Sequence, residues 1–307
     1  MKYSNVLLSK NGIATIKISR EILKYKIGDK IPTVSELCEQ LNIGRGTFQS
    51  SASLLQNYNA FKLESRGHLG SFLVSKNTKI LLEFASIYNI VGVMPLPYSK
   101  RYEGLASGLI LAMKNNYDVP VSMAYMRGAK NRISMMLSGR YDYAIISKYA
   151  ATNYLKEFDD IRIVKSFGKH SYLGSHVLMF NDKVAKEIFN GMKVGIDIDS
   201  IDQLELTNRI FEGYNVEFYN VDYSHILKKV ISGEIDAAIW NKDEVVDKFI
   251  DIYCEEIGSE NDSDTEAVIV VSKENEEMAA LLNEIIDIEI VLSVQAKVIS
   301  GDMIPSY

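Results

Sequence analysis

Cysteine is nearly absent from the 307 residues: Cys38 and Cys254 stand far apart, without the close pairing of a zinc knuckle or the even set that frames a small secreted fold. A reducing, cytoplasmic setting is expected. No run of ~18 apolar residues could span a bilayer, and the start MKYSNVLLSKNGI lacks the apolar stretch of an export signal. Neither a membrane partner nor secretion is expected. Histidine is scarce too, and His68, His170, His176 and His225 never fall at metal-ligand spacing. No metal and no cofactor are expected. A phosphate-binding P-loop, a G-x-G-x-x-G and a G-x-S-x-G are all missing. Forty Asp and Glu make chance carboxylate pairs certain, so no acid–base couple and no catalytic residue can be named.

What is present is ordinary globular material with an uneven charge. Hydrophobic residues make up 47% and charged residues 24%, enough apolar surface for more than one core. The formal net charge is −6, yet residues 1–75 carry ten Lys and Arg against five Asp and Glu, a net of +5 that leaves −11 on the remainder. A basic head on an acidic body is the asymmetry expected when only the head meets phosphates.

Helical spacing of Ile18, Ile22 and Leu23 predicts a first helix from Asn11 to Tyr25, stopped by Ile27-Gly28-Asp29. Thr33 lies three residues before Glu36, a capping box that starts a second helix running to about Leu41. Asn42-Ile43-Gly44 turns the chain, and Arg45 opens a third helix with Phe48, Ala52 and Leu55 on one face. Two short helices joined by such a turn read as helix-turn-helix. Phe61-Lys62-Leu63, the glycine-flanked turn Ser65-Arg66-Gly67-His68-Leu69-Gly70 and Phe72-Leu73-Val74 then form a hairpin, the wing.

Gly28, Ile31-Pro32-Thr33, Glu36-Leu37, the run from Leu41 to Phe48, Leu54-Leu55, Ala60-Phe61, Arg66-Gly67 and Gly70-Ser71-Phe72 resemble the winged helix of GntR-family transcriptional regulators. The resemblance implies DNA contacts at Thr33, Arg45, Thr47, Gln49, Arg66, His68 and Gly70. Helix N-termini offer free N–H groups to phosphate, and Arg45 and Gln49 lie one turn apart where both could reach base edges. His68 reads equally as a wing-tip reader or a solvated loop residue. Ser35 stands where the family has an arginine and Gly44 where it has a serine, so one contact and one helix cap are altered. A winged helix used for protein contacts is the alternative.

Residues 76–89, with Thr78 as N-cap and Ile80, Leu81, Phe84 and Ile87 at helical spacing, read as a linker helix between a winged-helix domain (1–75) and an effector domain (90–307). In the latter, short apolar runs at 90–94, 121–125, 141–146, 161–164, 177–180, 193–198, 216–219, 236–240 and 267–271 alternate with helical stretches, which predicts α/β architecture with a largely parallel sheet. Leu137-Ser138-Gly139-Arg140-Tyr141-Asp142-Tyr143-Ala144-Ile145 and Val230-Ile231-Ser232-Gly233-Glu234-Ile235-Asp236-Ala237-Ala238-Ile239 share one pattern. One copy per lobe suggests two lobes around a cleft, about 90–176 with 266–307 and about 177–265; one larger doubly wound sheet is the alternative. The arrangement is similar to type 2 periplasmic binding proteins, and the chain with its run from Met94 to Leu105 resembles YhfZ-type regulators. That resemblance implies a DNA-binding regulatory role and a binding-protein-like body.

Ligands of such sheets sit beyond the strand ends. Tyr98, Ser99, Arg101 and Tyr102 after the first strand, Arg127 after the second, and Ser147 with Lys148 after the third are the candidates on one side. Tyr172 and Ser175 near the first crossover, and Asp199 on the other lobe, complete them. The cations suit a small anionic effector, with Arg127 as its anchor, and Trp240-Asn241 reads either as cleft lining or as core. Double-stranded DNA, a small-molecule effector and a second copy of the chain are the expected partners. A ligand-binding protein without DNA contacts and an enzyme on the same two-lobed fold are the competing readings.

Overall fold

The structure, a computed structural model, describes residues 8–117, 120–181, 184, 186–248, 252–257 and 262–307, without the side chains of 115–117. Ser9 accepts from Gly12 N at 3.1 Å and so starts α1 (Lys10–Leu23), which buries Ala14, Ile18 and Ile22. After the two-residue strand β1 (Lys30–Ile31), which the sequence did not announce, α2 (Val34–Leu41) opens on the expected capping box. Glu36 N donates to Thr33 Oγ1 at 3.3 Å, and Thr33 N donates to Glu36 Oε2 at 2.7 Å. Asn42 in the left-handed region ends the helix. α3 (Arg45–Asn57) follows, with Phe48, Ala52 and Leu55 buried and no side-chain cap at Gly44. β2 (Phe61–Ser65) and β3 (Ser71–Lys76) form the wing around a single 3-10 turn at Gly67–Leu69, and β1 pairs antiparallel to β3. α4 (Thr78–Phe84) is shorter than the expected linker helix, and Asn77 rather than Thr78 caps it, accepting from Ile80 N at 3.1 Å.

Beyond it the chain runs β4 (Ile90–Met94), α5 (Lys100–Tyr117), β5 (Val121–Tyr125), α6 (Ala129–Leu137), β6 (Tyr143–Ser147), α7 (Lys148–Glu157) and β7 (Ile161–Ser166). It continues through β8 (His176–Phe180), β9 (Lys193–Ile196), α8 (Ile201–Ile210), β10 (Glu217–Asn220), α9 (Tyr223–Ser232), β11 (Ala237–Asn241), α10 (Lys242–Asp247) and β12 (Cys254–Ile257). β13 (Ala267–Ser272), α11 (Glu276–Ile285) and α12 (Ile288–Ser300) complete it. Two five-stranded sheets result, ordered β5-β4-β6-β13-β7 and β10-β9-β11-β8-β12. Both are mixed rather than largely parallel. β13 runs antiparallel to β6 and β7, and β8 antiparallel to β11 and β12, because each is the strand by which the chain crosses into that sheet. β8 is buried on both faces: Val177 and Met179 face one cluster with Trp240, Leu178 and Phe180 the other with Val194 and Ile239.

The repeated Ser-Gly-x-x-Asp pattern does the same job twice. Gly139 and Gly233 both take positive φ at a helix end. Asp142 then exchanges two bonds with Val91, N to O at 2.8 Å and Oδ2 from Val91 N at 2.8 Å. Asp236 repeats this on Lys193, at 2.7 and 2.8 Å. Each aspartate pins the first residues of the neighbouring strand.

Contact density separates residues 1–90, 113–121 and 275–286 from residues 91–112, 122–274 and 287–307, which hold both lobes. α11, expected in the body, therefore groups with the winged helix. Its glutamates explain why: Lys24 meets Glu276 at 3.0 Å, Arg20 meets Glu277 at 3.5 Å and Lys76 meets Glu284 at 2.6 Å. Part of the head's basic charge is thus balanced on the α1 side. Among the described residues no helix is long and apolar enough to cross a membrane.

Candidate functional site

The two mixed sheets enclose a cleft of about 90 Å³. One wall is built from the loops after β4 and β5 and the starts of α5 and α6: Pro95, Leu96, Tyr98, Tyr102, Arg127 and Arg132. The facing wall comes from the end of β9, the starts of α8 and α9 and the end of β11: Asp197, Asp202, Gln203, Tyr223 and Asn241. Tyr172 and His176 close it at the crossover.

Arg127 bridges the walls. Its Nη2 lies 2.7 Å from Asp197 Oδ2 and its Nη1 3.1 Å from Asp222 Oδ1. Asp197 is buried, and it also accepts from Tyr223 N at 2.9 Å and Asp199 N at 3.0 Å. A second bridge joins Ser147 Oγ to Asp202, 2.8 Å from each carboxylate oxygen. Loss of solvent pushes the Asp202 carboxyl up to about 6, against the pull of the Ser147 bond and the fields of His176 and Arg132. At the crossover, His176 Nδ1 lies 2.9 Å from Asp264 Oδ2.

Aromatic rings line much of the remainder. Tyr102 sits edge-on to Tyr172 at 5.2 Å, and burial pushes both phenols upward, so they stay neutral donors or acceptors. Tyr223 stacks on Trp240 at 3.9 Å and donates to Glu244 Oε1 at 2.9 Å, with Tyr98 6.0 Å away across the cleft. Trp240 is therefore core and Asn241 cleft lining, one residue for each of the two readings of that dipeptide.

Of the ten effector-site candidates, Tyr98, Tyr102, Arg127 and Tyr172 line the cleft together. The others serve elsewhere. Ser99 is buried, with its Oγ 3.4 Å from Tyr102 N at the start of α5. Arg101 forks onto Asp243 at 2.8 and 3.2 Å and donates to His170 O, and with Ser175 it borders a separate recess. Ser147 caps α7 and reaches the cleft only through Asp202. Lys148 pairs with Glu266 at 3.1 Å, and Asp199 is exposed. Arg132, Asp197, Asp202, Gln203 and Tyr223 were missed, while Asn241, left open between cleft and core, lines the cleft. Asn241 ends β11 and so carried the same strand-end signal as Tyr98. Arg132 carried none, since its side chain reaches the cleft from one turn inside α6 by pointing back toward the helix N-terminus.

On the winged helix, Arg45 and Gln49 are exposed on the first turns of α3, with Thr47 half-buried beside them. Arg66 and His68 are exposed at the wing tip, where Arg66 lies over the Phe72 ring at 4.6 Å and reaches Glu64 at 3.4 Å. Gly70 takes φ +98°, a conformation that favours glycine, and a Cβ there would meet only the flexible end of Lys30, whose Cε would lie 2.8 Å away. Thr33 is exposed, but its hydroxyl is engaged by Glu36 Oε2 at 2.8 Å.

Residues 77–307 match the family described as YhfZ C-terminal domain, and residues 26–73 match a helix-turn-helix domain. The protein YhfZ of Escherichia coli strain K12 is 34% identical over 306 residues, covering 98% of both chains. The crystal structure of YhfZ from Shigella flexneri, also 34% identical, aligns with a TM-score of 0.60 over 75% of this chain and 97% of that one. The amino acid ABC transporter substrate-binding protein AbpA from Streptococcus pneumoniae is 14% identical and aligns with a TM-score of 0.51 over 70% of this chain and 94% of its own. That last likeness is one of fold: an N-terminal helix-turn-helix domain precedes a body with the two-lobed architecture of periplasmic binding proteins.

Proposed function

The chain belongs to the YhfZ family, and from that premise we propose that it is a cytoplasmic transcriptional regulator whose winged helix binds double-stranded DNA and whose two-lobed body binds a small effector. The observation that carries the reading is the exposed N-terminal half of α3. Arg45 and Gln49 stand one turn apart on a helix whose first N–H groups have no side-chain cap, a surface suited to phosphates and base edges. Lys62, Arg66 and His68 on the exposed wing extend it.

The cleft supports binding rather than catalysis. Its aspartates are held by donors of the protein itself, Asp197 by three and Asp202 by Ser147, which suits them to orienting the lobes. Arg127 and Ser147 join the lobes across the cleft, so an effector that changes those bridges changes closure. Signal transfer requires that it bind the two closure states with different affinity, since equal affinity shifts nothing. One winged helix buries little DNA surface, so two heads on a near-palindromic site, hence a homodimer, supply useful affinity.

The test is a fluorescence-anisotropy titration of the full chain against the DNA upstream of its own gene and a scrambled duplex, at several salt concentrations. The expected result is preference for the upstream duplex, weakening as salt rises and lost in Arg45→Ala. Absence of DNA binding at every salt concentration sinks the regulator reading.

A further inference from the structure

Two almost fully buried cleft groups keep hydrogen-bond donors after the interlobe bridges are formed, and they point to the class of effector. The inference rests on the body being an effector domain. Asn241 is the first. Its Oδ1 accepts from Asp243 N at 2.9 Å to cap α10, which fixes the orientation of the amide. Nδ2 is not used by that cap, belongs to a residue only 2% exposed that lines the cleft, and has no hydrogen-bond partner. A buried amide left this way costs about 1–3 kcal/mol unless something supplies an acceptor.

Arg132 is the second. It is 3% exposed and lines the same cleft. Nε donates to Ile145 O at 3.0 Å, Nη1 to Met126 O at 2.8 Å and Nη2 to Tyr172 Oη at 3.0 Å. Every one of these partners is neutral, and no ion pair joins Arg132 to a carboxylate among the described residues, in contrast to Arg101 and Arg127. Each of its Nη atoms keeps a second N–H. A buried guanidinium whose hydrogen-bond partners are all neutral attracts an anion.

The rest of the lining limits what that anion can be. Asp197 and Asp202 share the cleft and repel a dianion, so a phosphate monoester is disfavoured relative to a singly charged planar group. The cleft of about 90 Å³ is room for a small molecule. We propose that the effector is a small monocarboxylate, its carboxylate held by Arg132 and by the Asn241 amide, while Arg127 acts as the latch between the lobes and not as the anchor.

The single tryptophan, Trp240, precedes Asn241 and stacks on the cleft residue Tyr223, so its fluorescence and the melting temperature both report occupancy. The full chain is titrated with glycolate, lactate, glycine and alanine, with the amide of each acid, with methylammonium and with inorganic phosphate. At least one acid is expected to shift both signals where its amide does not. Arg132→Gln then weakens that acid by about 10- to 100-fold, the worth of one charged hydrogen bond. Asn241→Asp does the same while retaining the oxygen that caps α10, which keeps the test decisive should Arg132→Gln fail to fold. Lys148→Gln, outside the cleft, leaves the affinity unchanged. Equal shifts by acid and amide, a shift by methylammonium or phosphate in place of the acids, or undiminished binding in Asn241→Asp overturns the carboxylate while leaving an effector cleft standing. No shift from any probe removes the effector cleft as well.

Discussion

Arg127 Nη2 lies 2.7 Å from Asp197 Oδ2, a bond between the loop after β5 in one sheet and the end of β9 in the other. The arginine's remaining arm reaches Asp222 at 3.1 Å, so its charge is answered inside the protein. Replacing it with glutamine removes both ion pairs and leaves buried Asp197 with two backbone donors only. Arg127→Gln is expected to lower stability by about 1–3 kcal/mol and to shift the lobes toward an open arrangement. Small-angle scattering should show a larger radius of gyration than wild type; an unchanged radius would mean the bridge does not control closure.

Asp202 makes the lobe interface sensitive to acid. Its carboxyl is pushed up to about 6, from an ordinary value near 3.8. Between about pH 4 and 6 the folded protein holds a proton that the unfolded chain releases, so this group makes stability fall as pH rises through that window. Arg132, His176 and Asp264 face the same carboxyl and modulate the fall. Asp202→Asn keeps an acceptor for Ser147 but cannot titrate. Its melting temperature, measured from pH 4 to 7.5, should gain on wild type as pH rises to about 6 and run parallel above. Curves parallel throughout would contradict the assignment.

Close packing of α5 on α12 depends on two glycines. A Cβ on Gly108 would stand 2.6 Å from Val291 O and 2.9 Å from Val291 Cα, and one on Gly104 would stand 2.9 Å from Gln295 Cα. These neighbours are backbone and cannot yield by changing rotamer. Gly108→Ala is therefore expected to cost about 1–3 kcal/mol, read by urea unfolding. Gly46→Ala is the contrast: a Cβ there meets nothing within 4 Å, and the exposed helix should gain up to about 1 kcal/mol.

Local chemistry was legible in the sequence. The capping box of Thr33 and Glu36, the buried face of Phe48, Ala52 and Leu55, and the two Ser-Gly-x-x-Asp units all depend on residues a few positions apart. Elements and roles settled by distant partners were not. β1 is two residues long and exists because β3 offers it an edge, and β12 reads Cys-Glu-Glu-Ile, too charged to announce a strand. Arg101 and Lys148 looked like free cations at strand ends, but Asp243 and Glu266 fold back to pair with them. The same distant pairing assigns α11 to the head, where Glu276 and Glu284 meet Lys24 and Lys76. Two features left open by pattern were settled by geometry: Trp240 packs into a core cluster while Asn241 turns to the cleft.

Thr33 carries two roles that substitution can separate. Its hydroxyl accepts from Glu36 N at 3.3 Å and lies 2.8 Å from Glu36 Oε2, and these bonds with the Thr33 backbone hold the Glu36 carboxyl below its usual range. Thr33→Ala should cost about 0.5–2 kcal/mol through the lost cap, and Thr33→Ser should restore it, because only the hydroxyl is needed. If Thr33 acts on DNA only by setting the start of α2, Thr33→Ala weakens DNA binding with an unchanged salt dependence, and the loss vanishes under conditions where the variant is fully folded. Arg45→Ala should behave differently. It lies outside the core of α3, so stability stays within about 0.5 kcal/mol of wild type while DNA affinity drops. A phosphate contact at Arg45 reduces the slope of log affinity against log salt by about one, whereas a base contact relaxes discrimination between the upstream and scrambled duplexes. Identical behaviour of the Thr33 and Arg45 variants in stability and in salt slope would show that both act through the fold of the head, and the DNA surface assigned to α3 would have to be moved.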